Sequence, residues 1–242
     1  MLLRTLWRRF IPHRCTLCRN IFEGTGALCG DCRSDLTDCS DSCRCCLADL
    51  ASSALDRCGP CLVRPRFFRA SAAVRYRGAA QALIREFKFR NRPRLAHTLA
   101  LLMVESRLRQ GGYLPQLLIP TPLHPSRLAE RGYNQAALLG QQCARILGVD
   151  CDPFALERRG AKTPVAQLSR RERQAAVRGA MTCRRKLNAS TRIALIDDVM
   201  TSGATCSEAE RALRRAGARD VEIWVFAHRA LGDGDLGAEE RT

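Results

Sequence analysis

Asp197 and Asp198 are adjacent carboxylates, and a few positions on stand Thr201, Ser202, Gly203, Ala204 and Thr205. The hydroxyls can donate to an anion, and Gly203 leaves its backbone N–H uncovered. If a helix starts there, its free N–H groups complete a nest for a phosphate monoester. Two carboxylates beside such a nest would repel the phosphate unless they hold another part of the same ligand. Accepting hydrogen bonds from vicinal sugar hydroxyls is the role that fits, so these residue types describe a ribose 5-phosphate. The plain alternative is a strand, turn and helix whose acids only cap the helix.

A second set of residues suits a metal. Cys15/Cys18, Cys29/Cys32, Cys43/Cys46 and Cys58/Cys61 make four C-x-x-C pairs, separated by ten, ten and eleven residues. Tetrahedral zinc takes four soft ligands, and a C-x-x-C turn brings two thiolates to one ion. Eight such ligands imply one or two structural zinc ions. Spacing leaves open whether neighbouring pairs share an ion or the pairs interleave. Disulfides are disfavoured in a cytosolic protein, and a redox pair is a poor reading of a motif repeated four times. Cys39 and Cys45 are spare. Few large apolar residues lie between Cys15 and Cys61, so this module should depend on its metal for folding.

The elements that must position these groups follow from hydrophobic periodicity. Residues 193–196 are a continuous apolar run, as in a strand covered on both faces of a parallel sheet. The acidic pair then falls at the strand's C-terminal end, where open α/β sheets bind ligands. Ala209, Ala212, Leu213 and Ala216 repeat at helical spacing, with Gly217 placed to cap them. Residues 70–76, 117–119 and 221–227 read as further strands. Ala80, Leu83, Ile84 and Phe87 line one face of a helix that also carries Arg85, Lys88 and Arg90. Leu95, Leu99, Leu102 and Met103 mark another helix, and Leu138, Leu139, Cys143, Ile146 and Leu147 a third that ends at Gly148. Residues 64–66 read as a linker. The expected organisation is a cysteine-rich module over 1–66, an α/β domain over 67–231 and a flexible tail over 232–242.

Length agrees with that division, since 242 residues hold one ordinary domain and a small module. No apolar stretch approaches the roughly 20 residues that span a bilayer, and the basic amino terminus lacks the apolar core of a signal peptide. A cytoplasmic protein without membrane insertion is expected. Forty Lys plus Arg against 24 Asp plus Glu give a net charge of +16. Such a charge attracts polyanions, nucleic acid and phosphorylated metabolites alike. An arginine-rich but merely solvated surface is the bland counterpart.

The sequence RIALIDDVMTSGAT at 192–205 resembles the signature by which type I phosphoribosyltransferases bind phosphoribosyl pyrophosphate, PRPP. The run PLHPSRLAERGYNQ at 122–135 resembles the signature of the ComF/GntX family, which joins a cysteine-rich zinc module to a phosphoribosyltransferase domain. With the cysteine pairs, the resemblance covers nearly the whole chain. It implies a type I phosphoribosyltransferase-like parallel sheet flanked by helices. It implies that Asp197 and Asp198 hold the ribose and act in catalysis, while residues 201–205 hold the 5′-phosphate. Arg127, Arg131 and Lys88 would help Mg²⁺ neutralise the pyrophosphate. Residues 150–190 would be a hood and closing loop, with Lys162, Thr163, Gln167 and Arg173 at recurring positions and Ala176 where the family has Asn.

The resemblance leaves two functions open. No general base is evident, because Thr201 stands where purine-specific relatives carry Asp, so simple purine salvage is disfavoured. One reading is a Mg-dependent phosphoribosyl transfer to an unidentified acceptor, linked to DNA uptake and competence. The other is a PRPP-type fold kept as a scaffold that binds single-stranded DNA or a competence helicase.

Overall fold

The computed structural model describes residues 13–23, 26–52, 54–67, 69–89, 95–158 and 179–229. Two short antiparallel strands, β1 (His13–Arg14) and β2 (Ile21–Phe22), open the cysteine-rich segment. Two single-turn helices follow, α1 (Gly30–Ser34) and α2 (Gly59–Val63), and each begins directly after a cysteine, Cys29 or Cys58.

The main sheet joins β3 (Arg69–Arg75), β4 (Leu117–Pro120), β5 (Asp150–Cys151), β8 (Arg192–Met200) and β9 (Asp220–His228). Their spatial order is β3-β9-β8-β4-β5, and every neighbouring pair is parallel. The helices α3 (Ala79–Phe89), α4 (Leu95–Arg109), α5 (Pro125–Arg131), α6 (Gln135–Leu147) and α7 (Ala204–Arg215) supply the crossovers that parallel strands require. A separate antiparallel pair, β6 (Leu156–Arg158) and β7 (Met181–Cys183), brackets the arginine-rich stretch read as a hood.

Strand side chains alternate between two buried layers, so a continuous apolar run is what each central strand needs. Ala194, Ile196, Trp224 and Phe226 face Leu83, Phe87, Leu99, Met103 and Leu139 of α3, α4 and α6. Ile193, Leu195, Val221, Ile223 and Val225 face Met181 and the Cys206, Ala209 and Leu213 stripe of α7. The α/β class and the parallel sheet flanked by helices stand as read.

One boundary differs. β8 does not end before the acidic pair but runs on through it to Met200, because β9 is equally long and keeps offering ladder partners, Val225 to Asp197 and His228 to Met200. Helix α7 ends as read: Gly217 follows the last helical turn at φ 112°, donating its N–H to the Arg214 carbonyl at 3.0 Å, while the Ala218 N–H reaches the Leu213 carbonyl at 3.1 Å.

The cysteine-rich segment shares its core with the sheet domain. Cys15, Leu28, Cys29 and Cys32 are buried in one cluster with Leu95, Leu99 and Met103 of α4. Ala27 donates its N–H to Thr98 Oγ1 at 3.1 Å, and Arg33 pairs with Glu105 at 2.5 Å. Further on, Asp38 bridges Val74, the Arg75 N–H reaches the Thr37 carbonyl at 2.8 Å, and Arg75 pairs with Asp49. These residues cover the outer edge of β3, which would otherwise present unpaired backbone groups. Among the described residues, no helix is long and apolar enough to cross a membrane.

Candidate functional site

β8 passes to α7 through Thr201, Ser202 and Gly203. Thr201 is exposed, so the turn lies at the surface. Gly203 is the N-cap of α7 at φ 68°, a left-handed conformation that disfavours any residue with a Cβ. No side chain caps α7, which leaves its first N–H groups available to an anion. Ala204 and Thr205 form the first turn above them.

Because Asp197 and Asp198 are consecutive strand residues, their side chains leave opposite faces of β8. Asp198 meets α3, where Lys88 Nζ stands 3.0 Å from its Oδ2. Its Oδ1 accepts the Val199 N–H at 2.7 Å. Asp197 lies toward α7 and accepts the Asp198 N–H at 2.9 Å, with the Cys206 thiol 3.8 Å from Oδ2. Burial, then the neighbouring Asp198 charge, push the Asp197 carboxyl up to about 7, against hydrogen bonds from the Asp198 N–H and the Thr121 side chain. Burial and Asp197 likewise hold the Cys206 thiol well above its ordinary range.

Arg127 is exposed on α5. Arg158, at the end of β6, was not singled out from sequence. Burial lowers its pKa, Arg127 pushes the same way and Asp197 opposes them, so its guanidinium stands within electrostatic reach of both. Its Nε is buried with no hydrogen-bond partner. Arg158 sits in an arginine-rich run that offered no periodic signal to single it out.

Much of the 122–135 signature does structural work. His124 caps α5 by accepting the Ser126 N–H at 3.2 Å. Asn134 caps α6 by accepting the Ala136 N–H at 3.0 Å, and its amide donates to the Thr121 carbonyl at 3.0 Å. The Tyr133 hydroxyl donates to the Phe87 carbonyl. Half-buried Arg131 reaches Gln135 Oε1 at 3.4 Å. The motif therefore fastens the end of β4 to α3 and α6, in the layer that Asp198 faces. Asn134→Ala removes a cap and a tether together and is expected to cost about 1–2 kcal/mol, read from the urea midpoint. Lys162, Thr163, Gln167, Arg173, Ala176 and Arg90 lie outside the described residues.

The cysteines fall into two groups, Cys15/Cys18/Cys29/Cys32 and Cys43/Cys46/Cys58/Cys61, each with its sulfurs within 4.8 Å of one another. The pairing is sequential. Cys18 and Cys29 sulfurs are 3.7 Å apart, and Cys46 and Cys58 sulfurs 3.6 Å. The edge of a tetrahedron with metal–sulfur bonds of about 2.3 Å is about 3.8 Å, whereas a disulfide would need about 2.05 Å. Burial raises the Cys15 thiol, but the N–H groups of Cys29, Cys18 and Leu17 overcome it and bring it down to about 6. Cys43 is brought to about 7 in the same way, by Cys58, Cys45 and Cys46. Each group could hold one metal ion, and four thiolates with such knuckles suit structural zinc. Cys39 and Cys45 are buried outside both groups.

Competence protein F of Haemophilus influenzae is 30% identical over 226 residues, covering 90% of this chain and 98% of that protein. The chain belongs to the competence protein F family. DNA utilization protein YhgH of Escherichia coli, in the same range, is 33% identical over 227 residues and covers 89% of this chain and 97% of its own length. No protein-family profile matches. Among solved structures, adenine phosphoribosyltransferase from Leishmania tarentolae aligns with a TM-score of 0.34 at 20% identity, over 54% of this chain and 56% of its own. Purine phosphoribosyltransferase from Pyrococcus horikoshii gives 0.34 at 18%, over 54% and 70%. The ComF/GntX resemblance read from the motifs therefore stands.

Proposed function

We propose that this ComF-family protein binds PRPP at the C-terminal edge of its sheet and transfers the phosphoribosyl group to an acceptor, in the handling of DNA. One observation carries the reading: an acidic pair on β8 is met by cations from separate elements, Lys88 at 3.0 Å from Asp198 and Arg158 within electrostatic reach of Asp197, next to an uncapped helix start. Asp197 and Asp198 take the ribose hydroxyls, and Thr201, Ser202, Gly203, Ala204 and Thr205 take the 5′-phosphate. Lys88, Arg127, Arg131 and Arg158 face the leaving pyrophosphate. Transfer breaks the bond from C1 to pyrophosphate, so positive charge grows on the ring and negative charge on the leaving group. Fixed cations around the second and carboxylates below the first stabilise that separation.

The hard oxygens of Asp197 and Asp198 suit Mg²⁺. Among the described residues no carboxylate group of three gathers into a metal site, so such an ion would be held largely by pyrophosphate and ribose oxygens. When bound, it would supply charge neutralisation of the leaving group. The link to DNA rests on the names of the relatives and on the net charge of +16. That charge, with the missing base at Thr201, also supports a second reading: a non-catalytic scaffold for single-stranded DNA or a helicase partner.

Titration calorimetry of PRPP with Mg²⁺ separates them. The unaltered protein should give heat, and Asp198→Ala should weaken binding about 10- to 100-fold, the loss expected for hydrogen bonds to a charged group. Absence of heat from the unaltered protein would leave only the scaffold. Its DNA affinity should then fall steeply with salt.

A further inference from the structure

The loop at 201–205 has hydroxyls and N–H groups but no cation of its own. A phosphate monoester brings nearly two negative charges near neutral pH. The cysteine-rich segment places a guanidinium at that spot. Arg66 Nη2 donates to the Ser202 carbonyl. A Cβ on Gly203 would stand 2.7 Å from Nη2 and 3.0 Å from Cζ. Gly203 is demanded by its left-handed φ, and a Cβ added there would also push the Arg66 guanidinium off the turn. The charge of Arg66 also reaches the first turn of α7, where it acts on the Cys206 thiol.

Arg66 is held at both ends. Its backbone N–H lies close enough to the Cys61 thiol of the second cysteine group to favour the thiolate there. Its guanidinium lies 5.2 Å from the centroid of the Phe67 ring, and Phe67 itself is buried in the core beneath α7. A guanidinium has five N–H donors, and the Ser202 contact leaves others for a ligand. The side chain is exposed, so a ligand in the loop can reach it.

We propose that Arg66 completes the phosphate site: anchored by the second cysteine group, it holds the Ser202–Gly203 turn and supplies the positive charge that the loop lacks for a sugar 5′-phosphate. This rests on the sugar-phosphate reading of the loop. It assigns to the metal segment a direct part in ligand binding, although residues 64–66 read as a linker in the sequence.

The test is calorimetry on the zinc-loaded full-length protein with two probes, ribose 5-phosphate and magnesium pyrophosphate. Arg66→Ala should weaken ribose 5-phosphate at least about 10-fold, the scale of a charge-assisted hydrogen bond. Magnesium pyrophosphate, which engages the far side of the cleft, should bind it as it binds the unaltered protein. Arg66→Lys should recover part of the loss, since a point charge keeps the attraction but not the fork. Equal binding of ribose 5-phosphate by Arg66→Ala and the unaltered protein would overturn the proposal alone. Equal weakening of both probes would also overturn it, by making Arg66 a general structural support. Failure of the unaltered protein to bind either probe would overturn the sugar-phosphate reading and this proposal with it.

Discussion

Stripping the protein of metal with a chelator under reducing conditions should lower its melting temperature by at least about 10 °C. Structural zinc held by four thiolates contributes roughly 10 kcal/mol of apparent binding energy, and most of that is folding energy. At about 2–4 °C per kcal/mol for a chain of this size, half of it gives the stated shift. The two groups should not contribute equally. Cys15, Leu28, Cys29 and Cys32 are packed into the layer built by α3, α4 and α6, so opening the first group removes contacts from Leu95, Leu99 and Met103. The second group packs mainly against its own segment, Ala48 and Leu50. Cys29→Ala should therefore destabilise more than Cys58→Ala. Hydrogen exchange should show lost protection in α4 for the first variant only. Unchanged melting and unchanged α4 protection after chelation would mean that these sulfurs do not hold the fold through a metal.

That asymmetry was hidden in the sequence for a physical reason. C-x-x-C spacing reports which thiolates share a knuckle, but the partner knuckle is chosen by tertiary contacts such as Thr98 on Ala27 and Glu105 on Arg33. Short apolar runs told which strands are covered on both faces, and Ile193, Leu195, Val221 and Ile223 alternate with Ala194, Ile196 and Trp224 as that pattern requires. The same signal misplaced the end of β8, because Asp197 and Asp198 break the apolar run while their backbones still pair with β9. The turn 201–205 was legible from residue types alone. Arg66 and Arg158 were not, since each comes from a distant segment and an arginine in an arginine-rich chain carries no local mark. The 122–135 signature shows the converse: the motif was legible, but that His124, Tyr133 and Asn134 serve in it as caps and tethers is seen only in the fold.

Asp197 should make both stability and ligand affinity depend on pH, in opposite senses. Its carboxyl ionises near 3.9 in an unfolded chain and near 7 in the fold, because burial and the Asp198 charge disfavour the carboxylate. Between those values the native state keeps a proton that the unfolded state has lost. Raising the pH from about 4 to about 7 therefore removes stability, and the loss is complete above the folded value. Three units correspond to about 4 kcal/mol at most, and partial solvation of the site brings the expected figure to roughly 2–3 kcal/mol. Asp197→Asn keeps the oxygen that accepts the Asp198 N–H and removes the charge. It should be more stable than the unaltered protein at pH 8, with the difference vanishing near pH 4, as read from urea midpoints. Ligand binding should run the other way, because a ribose hydroxyl needs the carboxylate as acceptor. PRPP affinity should rise as the pH passes through about 7, whereas Asp197→Asn should show only the dependence that the ligand's own phosphates impose. The Lys88–Asp198 pair is common to both proteins, so the difference between them is confined to Asp197. Identical pH profiles for the two proteins would mean that this carboxylate neither stores a proton in the fold nor meets the sugar.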